Sequence, residues 1–309
     1  MGSNASLAQD FSTPELPSWL LAVPFLLAAV VVGVVVWRRR DAWAAREIQA
    51  FGMAKGLPDP GEDLGWVTDR IRARLSGRLV GAIAGFVVSV PLIGMSVNRA
   101  GMGGWWLLLI PLYAVLGTAF GHLRPVTQKS DRPRVAALRE RRVGDYVTQV
   151  EVWSAVICSV LPVATLVLAG LVWARGTSAV SAVVLSVVLA GVSLVVIVVL
   201  ADLARRALAQ NIQTHGASGL AWAELLRAQM LRDLVGGVST AGAFGGGFVP
   251  FWGVVVTWRE YPDWYLPVTF GLVALAVAAL LAGLIAAGAD TNLRWARDHT
   301  LGDPGPVGP

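Results

Sequence analysis

Val152–Ala174, VWSAVICSVLPVATLVLAGLVWA, and Gly176–Ala201, GTSAVSAVVLSVVLAGVSLVVIVVLA, are separated by Arg175 alone, and neither contains Asp, Glu, Lys or Arg. An apolar run of about 20 residues is what a helix needs to cross a hydrocarbon core roughly 30 Å thick. Backbone groups in lipid must bond within the segment itself, and these runs lack the alternating polarity of barrel strands, so each is read as an α-helix. With one charged residue between them, the two helices form a tight hairpin and pack as antiparallel neighbours.

The same reading extends along the chain in both directions. Pro17–Trp37, Leu79–Asn98, Gly104–Gly121, Leu234–Trp258 and Trp264–Ala289 are equally free of charge, which gives seven expected spans. Hydrophobic residues make up 55% of the 309 residues, charged residues only 15%, and the mean hydropathy is +0.63, all outside the soluble globular range. The expectation is an all-α, polytopic helical membrane protein: one anchor helix at 17–37, then hairpins at 79–122, 152–201 and 234–289. The stretches 38–78, 123–151 and 202–233 join them, between a tail at 1–16 and a Pro-Gly tail at 290–309. None of the joining stretches reaches the size of an independent domain.

Orientation follows from the basic residues. Placing the N-terminus outside and the C-terminus inside leaves only Arg99, Arg175 and Arg259 of the 25 Lys and Arg residues on the outer side, as the positive-inside bias requires. The basic run Arg38, Arg39, Arg40 follows the first apolar stretch instead of preceding it, the reverse of a cleaved signal. The sequence pI near 10 is thereby assigned to an anionic inner leaflet and not to nucleic acid. With 23 Arg against 2 Lys and abundant Ala, Val and Gly, the composition suggests a high-GC bacterium, whose plasma membrane would be the location.

Three joining stretches carry amphipathic segments. Leu64, Val67, Ile71 and Leu75 lie at helical spacing opposite Asp69, Arg70 and Arg74. Trp222, Leu225, Leu226 and Met230 lie beside Glu224, Arg227 and Asp233, and Val135, Leu138 and Val143 lie among Arg139, Arg141 and Arg142. They are expected to rest on the inner leaflet as interfacial helices. The sharper alternative makes Trp222, Leu226, Arg227 and Met230 a contact for another membrane or cytoplasmic protein.

The motifs of enzymes are missing. The sequence has no His-Glu-x-x-His, no phosphate-cradling Walker loop and no Gly-x-Ser-x-Gly elbow, and its three histidines are spread over separate stretches. The expected spans hold no Asp, Glu, Lys, Arg or His, which argues against a proton path inside this chain. Glu151, Asp202, Asp290 and His122 are read as interfacial. A rhodopsin-like reading of seven spans fails because the last span has no lysine. No catalytic residue, metal site or cofactor is expected.

The sixth span is unlike the others. Gly236, Gly237, Gly242, Gly245, Gly246, Gly247 and Pro250 crowd around Ser239 and Thr240, so helix continuity there is doubtful. Broken helices line solute sites in transporters, which makes Ser239, Thr240, Gly242, Gly245, Gly246, Gly247 and Pro250 the candidate substrate site. The competing reading is close helix packing, with Gly242 and Gly246, like Gly81 and Gly85, forming small-xxx-small faces. Tryptophans such as Trp37, Trp153, Trp173 and Trp264 fall at span ends, where an amphipathic ring suits the headgroup layer. Two functions fit: an accessory or assembly subunit that acts through partners, or a permease-like protein for a small neutral or apolar solute.

Overall fold

A helix ends where the chain supplies a stop signal, and neither Trp37 to Ala45 nor Leu226 to Leu234 contains a glycine or proline. In the computed structural model, which describes residues 18–55, 60–100, 109–123, 142–176, 180–209, 217–248 and 263–288, the helices run straight through both stretches. Among the described residues there are seven α-helices and no strand. They are α1 Ser18–Lys55, α2 Leu64–Ala100, α3 Leu109–Leu123, α4 Gln149–Ala174, α5 Val180–Ala209, α6 Ala217–Ala243 and α7 Tyr265–Gly288. Three stretches are long and apolar enough to cross a membrane: Gln149–Ala174, Val183–Ala209 and Tyr265–Ala287. The tails 1–16 and 290–309, Val135, Leu138 and Pro250 lie outside the described residues.

The first correction to the sequence reading concerns the amphipathic segments at 64–75 and 222–233. Neither is a separate interfacial helix: one is the first part of α2, the other the first part of α6. With 37 and 38 residues, α2 and α1 are each about 55 Å long at 1.5 Å per residue, well beyond a hydrocarbon core. Their surplus turns pack on one another. Ala44 of α1, Val67 and Ile71 of α2, and Trp222, Leu225 and Leu226 of α6 form one buried cluster. The apolar stripes expected to face lipid headgroups face each other instead.

Helix α4 begins in a capping box. Thr148 Oγ1 accepts from the Glu151 N–H at 3.2 Å, and Glu151 Oε2 accepts from the Thr148 N–H at 2.8 Å, which satisfies two of the orphan donors of a helix start. Just before it, the turn Val143–Asp145 delivers Tyr146 and Val147 into a second cluster with Leu200 and Leu203 of α5 and Leu231 and Leu234 of α6. Helix α6 sits centrally, packed against α3, α4, α5 and α7.

Helices α4, α5 and α7 turn apolar side chains outward. Val160, Val195, Val198, Leu284 and Ile285 are each more than half exposed. An apolar surface this extensive suits a lipid surround, because soluble monomers rarely expose such continuous patches.

Candidate functional site

The glycines of α6 point in different directions around the helix, and their neighbours differ accordingly. A Cβ on Gly242 would collide with the Cys158 carbonyl of α4, and one on Gly246 with the Leu161 backbone, also on α4. Gly245 faces Ser193 of α5, and a Cβ on Gly247 would come within 2.7 Å of the Ala276 Cβ of α7. These four residues are contact points at which three neighbouring helices approach the α6 backbone. Gly236 is different: a Cβ there would meet nothing within 4 Å.

Helix type changes where the sequence crowds its glycines. The α-helix ends at Ala243 and the chain continues as a π-helical turn, Phe244–Phe248. Wider winding leaves carbonyls off the regular ladder. One of them, Gly246 O, accepts from Thr165 Oγ1 of α4 at 3.0 Å.

Beside Gly236 lies a cleft of about 380 Å³ walled by α4, α6 and α7, with Pro111 of α3 also in its lining. Ser239, Thr240, Phe244, Leu280 and Leu284 line it. Its hydroxyls are already engaged: Ser239 donates to Val235 O at 3.2 Å and Thr240 to Gly236 O at 2.8 Å, each one turn back. Ser154 of α4 donates across to Ala279 O of α7 at 2.7 Å, an interhelical bond of the kind that holds helices together in lipid.

Arg232 and Glu151 also line the cleft. Glu151 Oε1 is 3.8 Å from Arg232 Nε, too long for a hydrogen bond. Arg232 Nε and Nη2 are buried without a hydrogen-bond partner among the described residues. An unsatisfied buried donor costs about 1–3 kcal/mol, more when it is charged. The site therefore presents apolar walls and an Arg232–Glu151 ion pair whose arginine keeps two donors without a hydrogen-bond partner among the described residues.

Sequence reasoning placed Ser239 and Thr240 here but missed Arg232 and left Glu151 among interfacial residues. The signal was their register: Arg232 lies on α6 one turn before Gly236, so both share a face. The structure separates Ser239 and Thr240, which line the cleft, from Gly242, Gly245, Gly246 and Gly247, which pack against neighbouring helices.

The second candidate group is displaced altogether. Trp222 is 1% exposed, Arg227 and Met230 are 3% exposed and Leu226 7%, so the face proposed for a partner or for lipid is occupied by the chain's own helices. Arg227 Nη1 donates to Glu224 Oε1 at 2.6 Å, and Tyr146 OH donates to Glu224 Oε2 at 2.7 Å. Burial, with Glu224 as acceptor, pushes the Tyr146 hydroxyl up to about 12. Nearby, Arg74 of α2 bridges Glu47 of α1 and Asp233 of α6, each at 2.7 Å. Burial raises the Glu47 carboxyl above its ordinary range although Arg74 pulls the other way. These ion pairs lock α1, α2 and α6 together beyond the apolar length of the bundle.

No protein family, no curated protein and no solved structure matches the chain. The functional reading therefore rests on the site itself.

Proposed function

We propose that the chain is a seven-span protein of a bacterial plasma membrane, N-terminus outside and C-terminus inside, that acts as a permease for a small, largely apolar solute. The solute binds along α6. The observation that carries this reading is the cleft of about 380 Å³ whose largely apolar lining includes Arg232, 3.8 Å from Glu151, with Nε and Nη2 buried and without a hydrogen-bond partner among the described residues. A solute with one hydrogen-bond acceptor satisfies both features: its apolar body replaces lipid against Phe244 and Leu280, and its acceptor meets the guanidinium. Pockets with mostly apolar walls and a few convergent polar groups are the usual form of small-molecule sites.

The π-helical turn supports the same reading, since irregular backbone at membrane depth is tolerated where it is packed in protein or lines a cavity. An accessory role acting through partners drew its docking face from Trp222, Leu226, Arg227 and Met230. With that face turned inward, the cleft is the better-supported site.

The test is flux through proteoliposomes holding the purified full chain, read by stopped-flow light scattering with short-chain alcohols, amides and glycerol. At least one of these probes should cross faster than in protein-free liposomes. Gly236→Leu, which has open space for its side chain, should lower that rate at least tenfold while the protein stays folded. Rates equal to empty liposomes for every probe, or a Gly236→Leu protein as fast as the original, would overturn the proposal.

A further inference from the structure

A second groove, of about 320 Å³, lies between α1 and α2 and is separate from the α6 cleft. Trp37, Arg40 and Trp43 line it from α1, and Arg78 and Leu79 from α2, with Val36 beside them. The Arg40 guanidinium sits over the Trp37 ring, 4.3 Å from its centroid, a cation–π arrangement that fixes its position. Trp37 is 48% and Trp43 39% exposed, so both rings present open apolar surface at the mouth.

The charge balance of the groove is one-sided. Among the described residues its lining has two arginines and no carboxylate. Two acids outside the lining stand near it: the exposed Asp41 pairs with Arg40 Nε at 3.5 Å but more closely with Arg72 Nε, at 2.8 Å, and Glu47 is held by Arg74. A partner for the groove must therefore bring its own negative charge on a compact head and apolar surface behind it.

Its position selects the source. On the proposed topology Trp37 ends the first span and Leu79 begins the second, which places the groove in the inner headgroup layer. That layer holds anionic phospholipid, and basic pockets between helices at this depth take phosphate head groups. We propose that the groove is a binding site for one anionic phospholipid of the inner leaflet. Its phosphate lies between Arg40 and Arg78, its glycerol region meets Trp37 and Trp43, and its acyl chain follows Val36 and Leu79 into the bilayer. The site fastens α1, which touches the bundle mainly through α2.

The experiment is native mass spectrometry of the full chain in detergent, with dioleoyl phosphatidylglycerol or dioleoyl phosphatidylcholine added. About 1 kcal/mol per basic residue for two arginines corresponds to roughly thirty-fold tighter retention of the phosphatidylglycerol. Arg40→Gln with Arg78→Gln should abolish that preference, and Arg206→Gln, at an exposed pair with Asp202 on α5, should leave it intact. Equal retention of both lipids by the original protein, or a preference that survives the double substitution, would overturn the site. If the double variant does not fold, brominated phosphatidylglycerol decides on the intact arginines. It should quench tryptophan fluorescence at lower mole fraction than brominated phosphatidylcholine, with the excess lost in Trp37→Phe, Trp43→Phe, and identical quenching would count against the proposal. Binding in detergent does not depend on orientation. Labelling of Ser3→Cys from outside intact cells reports the topology separately.

Discussion

The two lengths of α6 are held in place by opposite means. From Ala217 to Asp233 the helix is fixed by large side chains and paired charges, with Trp222, Leu225 and Leu231 buried and Glu224 bonded to Arg227 and Tyr146. From Leu234 through the π-helical turn that ends at Phe248 it is fixed by the absence of side chains, with glycines letting the α4 backbone, Ser193 of α5 and Ala276 of α7 approach closely. On the proposed topology the difference follows from the solvent on each side. Near water, burying a large apolar group is favourable in itself. In lipid that gain disappears, and van der Waals contact between small residues takes its place.

The largest effect should come from filling the glycine contact. Gly242→Leu places a side chain where the Cys158 backbone already lies, and no rotamer of the new residue avoids a backbone. We expect no monodisperse protein by size-exclusion chromatography in mild detergent. Gly236→Leu, six residues earlier on the same helix, should elute as the original does. Equal behaviour of the two variants would break the contrast between packed and open glycines.

A smaller loss is expected in the charged length. Arg227 is 3% exposed, and removing one partner of a buried pair costs about 3–5 kcal/mol because the other charge is left stranded. Arg227→Ala should lower the thermal unfolding midpoint strongly, and adding Glu224→Gln should recover part of the loss. If Arg227→Ala alone unfolds at the original temperature, the pair contributes nothing and the two lengths of α6 are held alike.

The smallest effect belongs to Tyr146. Tyr146→Phe removes one hydrogen bond to Glu224 and should cost about 1 kcal/mol at neutral pH. The folded state holds this hydroxyl above its ordinary value of 10.0, at about 12, so its contribution is complete below pH 10 and disappears as pH rises through about 12. Thermal scans over that range should show the variant's deficit shrinking, and a deficit constant up to pH 12 would place Tyr146 outside the network.

The helical class and the candidate spans were legible because charge-free runs of this length admit one backbone solution in lipid. Ser239, Thr240 and the crowded glycines were legible too, as an anomaly against the other spans. Their separate roles were not, because one glycine is indistinguishable from the next in sequence. Gly236 and Gly242 differ only in which neighbour the tertiary arrangement sets opposite them. The amphipathic faces of α2 and α6 show the same limit from the other side: an apolar stripe with charges opposite reads identically whether lipid or another helix covers it.

By itself the sequence determined that the chain is helical and suited to a lipid surround, since composition and the obligation to satisfy backbone polar groups leave no other architecture. Tertiary structure alone decided that the surplus turns of α1, α2 and α6 bury one another, that Arg74 joins Glu47 to Asp233, and that Arg232 and Glu151 meet in the lining of a cleft. Those pairs lie far apart along the chain, from 27 residues between Arg74 and Glu47 to 159 between Arg74 and Asp233. No local periodicity encodes which distant charge a buried arginine will find, because that is fixed only when packing brings the helices into register.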